Sequence, residues 1–490
     1  MSDAVVRTIH RGEARVGFGA RIGRTLRLSR RRLRRMITVL VVLAVAAATG
    51  VTVALTAPAL LVSLGFAEPQ VITAVPPPAQ RELRALPGTA PRPTAEGIAD
   101  SLDAEGDAMP GQFTGIVLDA AGGDPLWART ADRALVPGST GKLLTAAAAL
   151  LTLAPTDTLV TRAVAGTAPG TVVLVGGGDP TLTALPAGRA GVYPDAPRLA
   201  DLAAQVQRAA PGPITAVTVD TGRYTGATLA PGWDAADIPG GYIAPIESLM
   251  VDGGRIDATL QDGPRVQDPA ETAGRAFAGM LGVDPDTVAI GAAPANAAQL
   301  GSVSSAPVTE LVEHLLRSSD NVLAEVLGRE VALSRGGEPS FGGAAQQVLT
   351  VLGQAGIDPA GAKMVDGSGL STQDRVPARV LGSVLAAAAA PAPAPPTAEL
   401  LRPLVSGLPV AGGDGTLDDR FARADASAAG RGVVRAKTGT LNGVSSLAGV
   451  VTDVDGRLLI FALMSNGPSP AISRPLLDEM AAQLSRCGCR

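Results

Sequence analysis

The chain has 490 residues, which is enough for two or three domains with large cores. Hydrophobic residues make up 46% of it but aromatic residues only 2%, so these cores are expected to consist mainly of Ala, Val and Leu. The net charge of −4 combines a basic start, about +9 over residues 1–35, with an acidic remainder of about −13, which argues against nucleic-acid binding by the main domain.

The basic residues 1–35 precede a stretch without any charged residue at 36–67. About 20 apolar residues are enough to cross a bilayer, and arginines clustered before such a stretch predict a cytoplasmic amino terminus. We therefore predict an uncleaved signal anchor at 36–67, a single pass through the cell membrane, with the remainder on the extracytoplasmic side; cleavage after this stretch is the alternative. Residues 68–97 are rich in proline and are predicted to be a linker that separates a folded domain from the membrane.

The folded part is predicted to begin with a helix near residues 95–102. Two short strands at 114–119 and 125–129 follow, and the glycines between them predict a hairpin. The apolar run 143–153 predicts a buried helix directly afterwards.

Residues 161–300 have a different character, with short strands and turns. The clearest strands are at 171–175 and 214–220, and a single amphipathic helix is predicted at 198–209. We therefore predict an inserted, mainly β domain over 161–300, which divides the surrounding domain into residues 98–160 and 301–486.

The carboxy-terminal part returns to helices and then to strands. Helices at both ends of the surrounding domain, with an antiparallel sheet between them, indicate the α/β class in its α+β form. The predicted elements are a helix at 308–316, an Ala/Pro loop at 386–396, a strand at 433–437, a hairpin that pairs 446–451 with 458–464, and a final helix at 474–484.

Ser139 and Lys142 stand three positions apart where the helix at 143–153 begins. Residues at this spacing share a helix face, so the Ser139 hydroxyl and the Lys142 amine are expected within hydrogen-bonding reach. The helix start also favours developing negative charge through its free backbone N–H groups and dipole. Only three of the 41 basic residues are lysines, and a lysine, unlike an arginine, can lose its proton in a protein. The pattern therefore pairs a nucleophile with a base.

Three motifs occur in order: Ser139-x-x-Lys142, Ser319-Asp320-Asn321 and Lys437-Thr438-Gly439. Together they are the set found in penicillin-binding proteins and class A β-lactamases. Because 180 residues separate Ser139 from Ser319, the chain resembles the D-alanyl-D-alanine carboxypeptidase/endopeptidase family, the class C low-molecular-mass penicillin-binding proteins (peptidase family S13), over about residues 98–485. Further stretches agree at 176–180, 250–254, 366–371 and 413–417, whereas Gly138 stands where the family resemblance predicts alanine.

The resemblance implies a penicillin-binding-protein/β-lactamase-like transpeptidase fold, with helices on a five-stranded antiparallel sheet. It implies that Ser139 attacks the D-Ala-D-Ala bond of peptidoglycan stem peptides and forms an acyl-enzyme, and that Lys142 takes its proton, kept neutral by burial and by the Lys437 cation. β-Lactam antibiotics would acylate the same serine. Neither a metal nor another cofactor is expected.

The other site residues receive their roles from the same resemblance. Ser319 would relay the proton to the leaving amine, and Asn321 would position the substrate amide. Lys437, Thr438, Gly439 and Thr440 would bind the substrate on a strand, with its carboxylate on Lys437, Thr438 and Thr440. The backbone N–H groups of Ser139 and Thr440 would form the oxyanion hole.

The sequence leaves open whether the enzyme is a carboxypeptidase that removes the terminal D-Ala or also a D,D-endopeptidase that cuts cross-links. Two functions of other classes are also open. A β-lactamase of class A hydrolyses its acyl-enzyme with a water held by Glu, but residues 348–360 contain no Glu. An inactive, membrane-tethered cell-wall scaffold is the alternative outside the enzymes. A Ser-His-Asp triad is disfavoured, because of the two histidines His10 falls on the cytoplasmic side and His314 is expected to be a packing residue. Cys487 and Cys489 are expected to be an inert tail.

Overall fold

The computed structural model describes residues 90–489, which all belong to one compact unit of the chain. The predicted cytoplasmic segment, the signal anchor at 36–67 and most of the proline-rich linker lie outside the described residues. Between residues 90 and 489, no helix combines the length and the apolar character needed to cross a membrane.

The described helices and strands are numbered here in chain order. The strands are β1 (Gln112–Asp119), β2 (Pro125–Arg129), β3 (Ala134–Leu135), β4 (Val160–Ala165), β5 (Thr171–Val175), β6 (Ala216–Asp220), β7 (Ala289–Ile290), β8 (Gln299–Ser304), β9 (Val376–Pro377), β10 (Arg435–Leu441), β11 (Val444–Thr452) and β12 (Leu458–Asn466). The α-helices are α1 (Ala95–Ala108), α2 (Lys142–Thr152), α3 (Leu199–Ala209), α4 (Pro269–Leu281), α5 (Val308–Ser318), α6 (Asn321–Ser334), α7 (Phe341–Gln354), α8 (Ala378–Ala389), α9 (Pro396–Ser406) and α10 (Pro470–Arg486).

A five-stranded antiparallel sheet lies at the centre of the fold, in the order β10-β11-β12-β1-β2. Both predicted hairpins are present, and β1 joins them by pairing with β12. Successive side chains of a strand point to opposite faces. Ile460 and Ala462 accordingly pack into a core with α2, α5, α6 and α8, whereas Leu459 and Phe461 pack against α1 and α10. The sheet is therefore covered by helices on both faces, and β10 is left at its edge.

A second five-stranded sheet, in the order β7-β6-β5-β4-β8, is formed between Val160 and Ser304. The predicted mainly β character of this region is wrong, because β5, β6 and β7 are parallel and parallel neighbours need long crossover connections. Helix α3 supplies the first crossover and α4, which was not predicted, the second. The sequence contained a signal for α4. Pro269 stands at its first position, and the apolar residues Ala273 and Phe277, four positions apart, are buried in the structure.

Two element boundaries in the carboxy-terminal part also differ from the predictions. The predicted Ala/Pro loop at 386–396 is shorter in the structure. Helix α8 ends at Ala389 and α9 begins at Pro396, so only residues 390–395 connect the two helices. Alanine is the strongest helix former, and Ala388 and Ala389 pack into the core, which extends α8 beyond the predicted end. The strand predicted at 433–437 begins later and runs to Leu441 as β10, so it carries the whole Lys437–Thr440 segment.

The last residues are packed against the folded domain rather than free. Cys487 is buried in the core formed with α1 and α10, and the Thr94 N–H donates to the Cys489 carbonyl at 2.7 Å. These residues therefore help to hold the start of α1 in place.

Candidate active site

The three motifs converge on one cleft of about 1590 Å³ beside the edge strand β10. Ser139 lines this cleft together with residues of both other motifs. The motif residues that line it are Ser139, Ser319, Asp320, Asn321 and Thr438, and Thr440, next to the third motif, lines it as well.

Ser139 lies in a single 3₁₀ turn, Gly138–Gly141, that leads directly into α2. The turn is tied to its surroundings because the hydroxyls of Thr140 and Ser446 both donate to the Pro137 carbonyl. Gly138 has φ +54°, and a Cβ at this position would lie 3.1 Å from the Thr440 nitrogen. The left-handed backbone and the closeness of β10 explain why glycine stands where the family resemblance predicts alanine.

Lys142 is fully buried beneath Ser139, and the hydrogen bond expected from their spacing is present. Its Nζ donates to Ser139 Oγ at 2.8 Å, to the Ser368 carbonyl at 2.8 Å, and to Asn321 Oδ1. Three acceptors match the three hydrogens of an ammonium group. The amine of Lys142 is thus held in one orientation beneath the Ser139 hydroxyl.

Burial lowers the pKa of Lys142 to about 8, although the carboxyl groups of Asp366 and Glu325 act in the opposite direction. The expected contribution of the Lys437 cation is not what sets this value, because the leading charges that act on Lys142 are acidic. The repulsion between the two lysines instead acts on the pKa of Lys437. That pKa is lowered well below its usual value, by burial first and by Lys142 second.

Ser319 lies between α5 and α6 with φ +60°, in the left-handed region. For a residue other than glycine such a conformation costs of order 1–3 kcal/mol and persists only where the neighbouring structure enforces it. The turn brings Ser319 Oγ to 2.8 Å from Lys437 Nζ, which also donates to the Thr438 carbonyl at 2.9 Å. The cleft therefore contains a second serine–lysine pair.

Asp320, the middle residue of the second motif, has a structural task. Its Oδ1 caps α6 by accepting the Leu323 N–H at 2.9 Å, and its Oδ2 accepts Arg255 Nη2 at 3.0 Å and the Tyr193 hydroxyl at 2.9 Å. Burial raises the pKa of Asp320, but Arg255 and Arg265 outweigh it and hold that pKa well below its usual range. Since the two arginines and Tyr193 belong to the inserted region, this buried network ties the insertion to the motif.

Asn321, the last residue of that motif, is oriented by the inserted region. Its Nδ2 donates to the Tyr242 carbonyl at 2.8 Å, which leaves Oδ1 to accept from Lys142. The Tyr242 carbonyl is a contact that the sequence did not reveal.

The stretch 366–371, one of those that agree with the family resemblance, reaches Lys142 through the Ser368 carbonyl. Glu325 holds this loop by accepting the backbone N–H groups of Gly367 and Ser368 at 2.9 and 2.7 Å. Glu325 is buried, and burial together with Asp366 raises its pKa to about 8. Sequence reasoning missed Glu325, although it follows Asn321 by four residues and so lies on the same face of α6.

The edge strand β10 passes directly against the turn that carries Ser139. A Cβ on Gly439 would lie 2.5 Å from the Pro137 carbonyl oxygen and 3.0 Å from the Ser139 nitrogen. Thr438 Oγ1 is 2.8 Å from the hydroxyl of Thr416, and Thr440 Oγ1 accepts Arg474 Nε at 3.3 Å. The backbone of β10 is consequently in close contact with the turn that carries Ser139.

His314 does not belong to this constellation. Its ring packs on Tyr193 with 5.4 Å between the centroids, and burial lowers its pKa. Across the described residues 90–489, no group of three or more His, Cys, Asp or Glu side chains is arranged to hold a metal ion.

The chain matches the model of the D-Ala-D-Ala carboxypeptidase 3 (S13) family over residues 95–264 and 261–487. Carboxypeptidase Rv3627c of Mycobacterium tuberculosis is 46% identical over 421 residues, which cover 84% of this chain and 90% of that protein. Carboxypeptidase DacB of Mycolicibacterium smegmatis is 46% identical over 426 residues, covering 86% and 91%. D-alanyl-D-alanine carboxypeptidase of Actinomadura sp. is 30% identical, covering 79% and 84%.

Solved structures agree on the fold. Penicillin binding protein 4 (dacB) of Haemophilus influenzae superimposes with a TM-score of 0.63 at 20% identity, covering 80% of this chain and 99% of that one.

Proposed function

The chain belongs to the D-Ala-D-Ala carboxypeptidase 3 (S13) family, and from that membership we propose that it is a serine-type D-Ala-D-Ala carboxypeptidase of peptidoglycan stem peptides. The observation that carries the proposal is the 2.8 Å contact between Ser139 Oγ and the buried Lys142 Nζ. A serine hydroxyl is a weak nucleophile until a neighbouring base removes its proton. Because the pKa of Lys142 is lowered to about 8, this lysine can be that base near neutral pH.

Acylation begins when neutral Lys142 takes the proton of Ser139 Oγ while this oxygen bonds to the carbonyl carbon of the penultimate D-Ala. The ammonium group that forms is stabilised by Asn321 Oδ1 and the Ser368 carbonyl. We assign the developing negative charge on the substrate oxygen to the backbone N–H groups of Ser139 and Thr440.

Collapse of this intermediate breaks the peptide bond and releases the terminal D-Ala. The proton taken from Ser139 reaches the leaving amine through Ser319, whose hydroxyl is held at 2.8 Å by Lys437. Water then attacks the acyl-enzyme, with Lys142 again acting as base. The overall reaction adds one water across the amide bond and regenerates Ser139.

The edge strand β10 is assigned to substrate binding, with the substrate backbone alongside Gly439 and its carboxylate near Lys437, Thr438 and Thr440. An extended peptide that adds to a sheet edge gains main-chain hydrogen bonds, and β10 is an edge strand.

The proposed location is the extracytoplasmic face of the cell membrane, with a single-pass anchor at 36–67. This placement is supported by the five arginines at residues 30–32, 34 and 35, which precede the uncharged stretch. Stem peptides of the cell wall would then be within reach of the catalytic domain.

β-Lactam antibiotics are proposed to acylate Ser139, and the resulting acyl-enzyme is proposed to be hydrolysed slowly. Residues 348–360, which lack Glu, lie mainly in α7. Glu325 is buried and does not line the cleft, so its carboxyl group is not placed to hold a deacylating water there. This arrangement favours a penicillin-sensitive carboxypeptidase over a β-lactamase.

The test is mass spectrometry of the full-length protein after incubation with benzylpenicillin, beside an assay for D-Ala released from an N-acylated peptide that ends in D-Ala-D-Ala. We expect a stable adduct on Ser139 and release of D-Ala, both absent from Ser139→Ala. Rapid consumption of the drug without an adduct would indicate a β-lactamase instead. If the wild-type protein forms no adduct and releases no D-Ala, the inactive scaffold is the function that remains.

A further inference from the structure

Arg474, in the second turn of α10, lines the same cleft as Ser139 and Ser319. Its side chain is exposed, and its Nε donates to Thr440 Oγ1 at 3.3 Å. A cation from a different element thus reaches the strand to which the substrate carboxylate is assigned.

The positive charge of Arg474 is not neutralised by a neighbouring carboxylate. Asp478, one helical turn further on, is held by Arg420 through both carboxylate oxygens, with Nε to Oδ2 at 3.0 Å. Among the described residues, Arg474 makes no ion pair; Asp478 and Asp419 favour its charge from a longer range and Arg420 opposes it. The guanidinium group is therefore available to a ligand that enters the cleft.

Lys437 is poorly suited to be the sole counter-charge of a carboxylate. Its side chain is fully buried, and its Nζ already donates to Ser319 Oγ and to the Thr438 carbonyl. An arginine, in contrast, is always charged and presents paired N–H groups that match the two oxygens of a carboxylate.

We propose that Arg474 is a specificity-determining residue that binds the free carboxylate of the substrate's terminal D-Ala, together with the Thr440 hydroxyl. The inference rests on the proposed function and deepens it, because it names the end group that the cleft selects. Loss of a hydrogen-bonded charge pair of this kind lowers binding of the transition state by about 10- to 100-fold.

The experiment compares two N-acylated peptides on the full-length protein, one ending in D-Ala-D-Ala with a free carboxylate and the other in its C-terminal amide. The variants are Arg474→Gln and Arg474→Lys. The matched control is Arg317→Gln, which removes a charge from the same cleft at a side chain that lies 3.5 Å from Asp414. The measured quantities are kcat/KM for each peptide and the rate of Ser139 acylation by benzylpenicillin.

We expect Arg474→Gln to lower kcat/KM for the free acid by about 10- to 100-fold and to leave the amide unchanged. We expect Arg474→Lys to recover part of the activity on the free acid, and Arg317→Gln to keep the ratio of the two peptides. Equal losses on both peptides, no loss on the free acid, or a lysine variant as slow as the glutamine variant would each overturn the assignment of Arg474. A wild-type protein that cleaves neither peptide and forms no adduct would instead overturn the proposed function.

Discussion

Lys437 Nζ lies 2.8 Å from Ser319 Oγ across 118 positions of the sequence, the same distance that separates Lys142 Nζ from Ser139 Oγ. Both lysines are fully buried, and burial lowers the pKa of both. They differ in their neighbours, since carboxyl groups surround Lys142 whereas Lys142 and Arg420 act on Lys437.

The rate of Ser139 acylation by benzylpenicillin should rise with pH through a midpoint near 8. Lys142 accepts a proton only when it is neutral, and its neutral fraction grows as the pH passes its pKa of about 8. One pH unit below a pKa, about a tenth of the groups are deprotonated, so the rate at pH 7 should be roughly tenfold below its upper limit. Mass spectrometry of adduct formation between pH 6 and 9.5 measures this profile. A constant rate over that range would exclude Lys142 as the base.

Asn321→Asp should move this midpoint above pH 8. Asn321 Oδ1 contacts Lys142 Nζ, so a carboxylate at this position stabilises the ammonium group and raises the pKa of Lys142. We expect acylation at pH 7 to fall by at least about tenfold, because one pKa unit is a factor of ten in the neutral fraction. The control is Asn442→Asp, which adds the same charge at an exposed position of the cleft. Similar profiles for the two variants would contradict a direct effect on Lys142.

Glu325→Gln should differ from the wild-type protein mainly at high pH. The pKa of Glu325 is raised to about 8, so below that pH its carboxyl group is mostly protonated and Gln resembles it. Above pH 8 the wild-type carboxylate raises the pKa of Lys142, and the variant lacks this effect. We therefore expect faster acylation of the variant above pH 8 and similar rates below.

Glu325→Ala tests whether Glu325 also positions the stretch 366–371, in addition to the effect of its charge on Lys142. It leaves the N–H groups of Gly367 and Ser368 without their acceptor, at a cost of about 1–3 kcal/mol for each buried group. Acylation should slow at every pH, because the Ser368 carbonyl that contacts Lys142 is no longer fixed. Equal behaviour of the Ala and Gln variants would contradict this positioning role.

Asp320→Asn should destabilise the fold strongly. The substitution leaves Arg255 buried without its counter-charge, and removal of one partner from a buried pair costs about 3–5 kcal/mol. Urea unfolding followed by circular dichroism should show a much lower midpoint. Glu271→Gln is the matched control, since it breaks the exposed pair with Arg275 and should cost about 1 kcal/mol or less. Comparable midpoints for the two variants would show that the buried network is not what ties the insertion to α6.

Gly439→Ala should abolish acylation. The added Cβ would lie 2.5 Å from the Pro137 carbonyl oxygen and 3.0 Å from the Ser139 nitrogen, so either β10 or the turn that carries Ser139 has to shift. Gly342→Ala is the control, because nothing lies within 4 Å of its Cβ position in α7. A Gly439→Ala protein that is acylated at the wild-type rate would contradict the close contact between β10 and this turn.

Local patterns in the sequence were sufficient for most of the elements that surround the site. The spacing of three predicted that Lys142 lies beside Ser139, and short strands separated by glycine-containing turns predicted both hairpins of the central sheet. The differences from the predictions are also local: Pro269 marks the start of α4, and the alanines predicted to form a loop end α8. Two effects extend α8 through these alanines: alanine has the highest helix propensity, and Ala388 and Ala389 are buried in the core.

The sequence by itself determined which residues are proposed to carry the chemistry, because three short motifs in one order predict a nucleophile, a base and a substrate-binding strand. It did not determine the contacts that set their properties. Ser368 reaches Lys142 across 226 positions and Arg474 reaches Thr440 from another element, and both contacts depend on how sheet, helices and insertion pack together. The lowered pKa of Lys142 also arises from tertiary structure, because burial is its main cause and burial is a property of the packed fold.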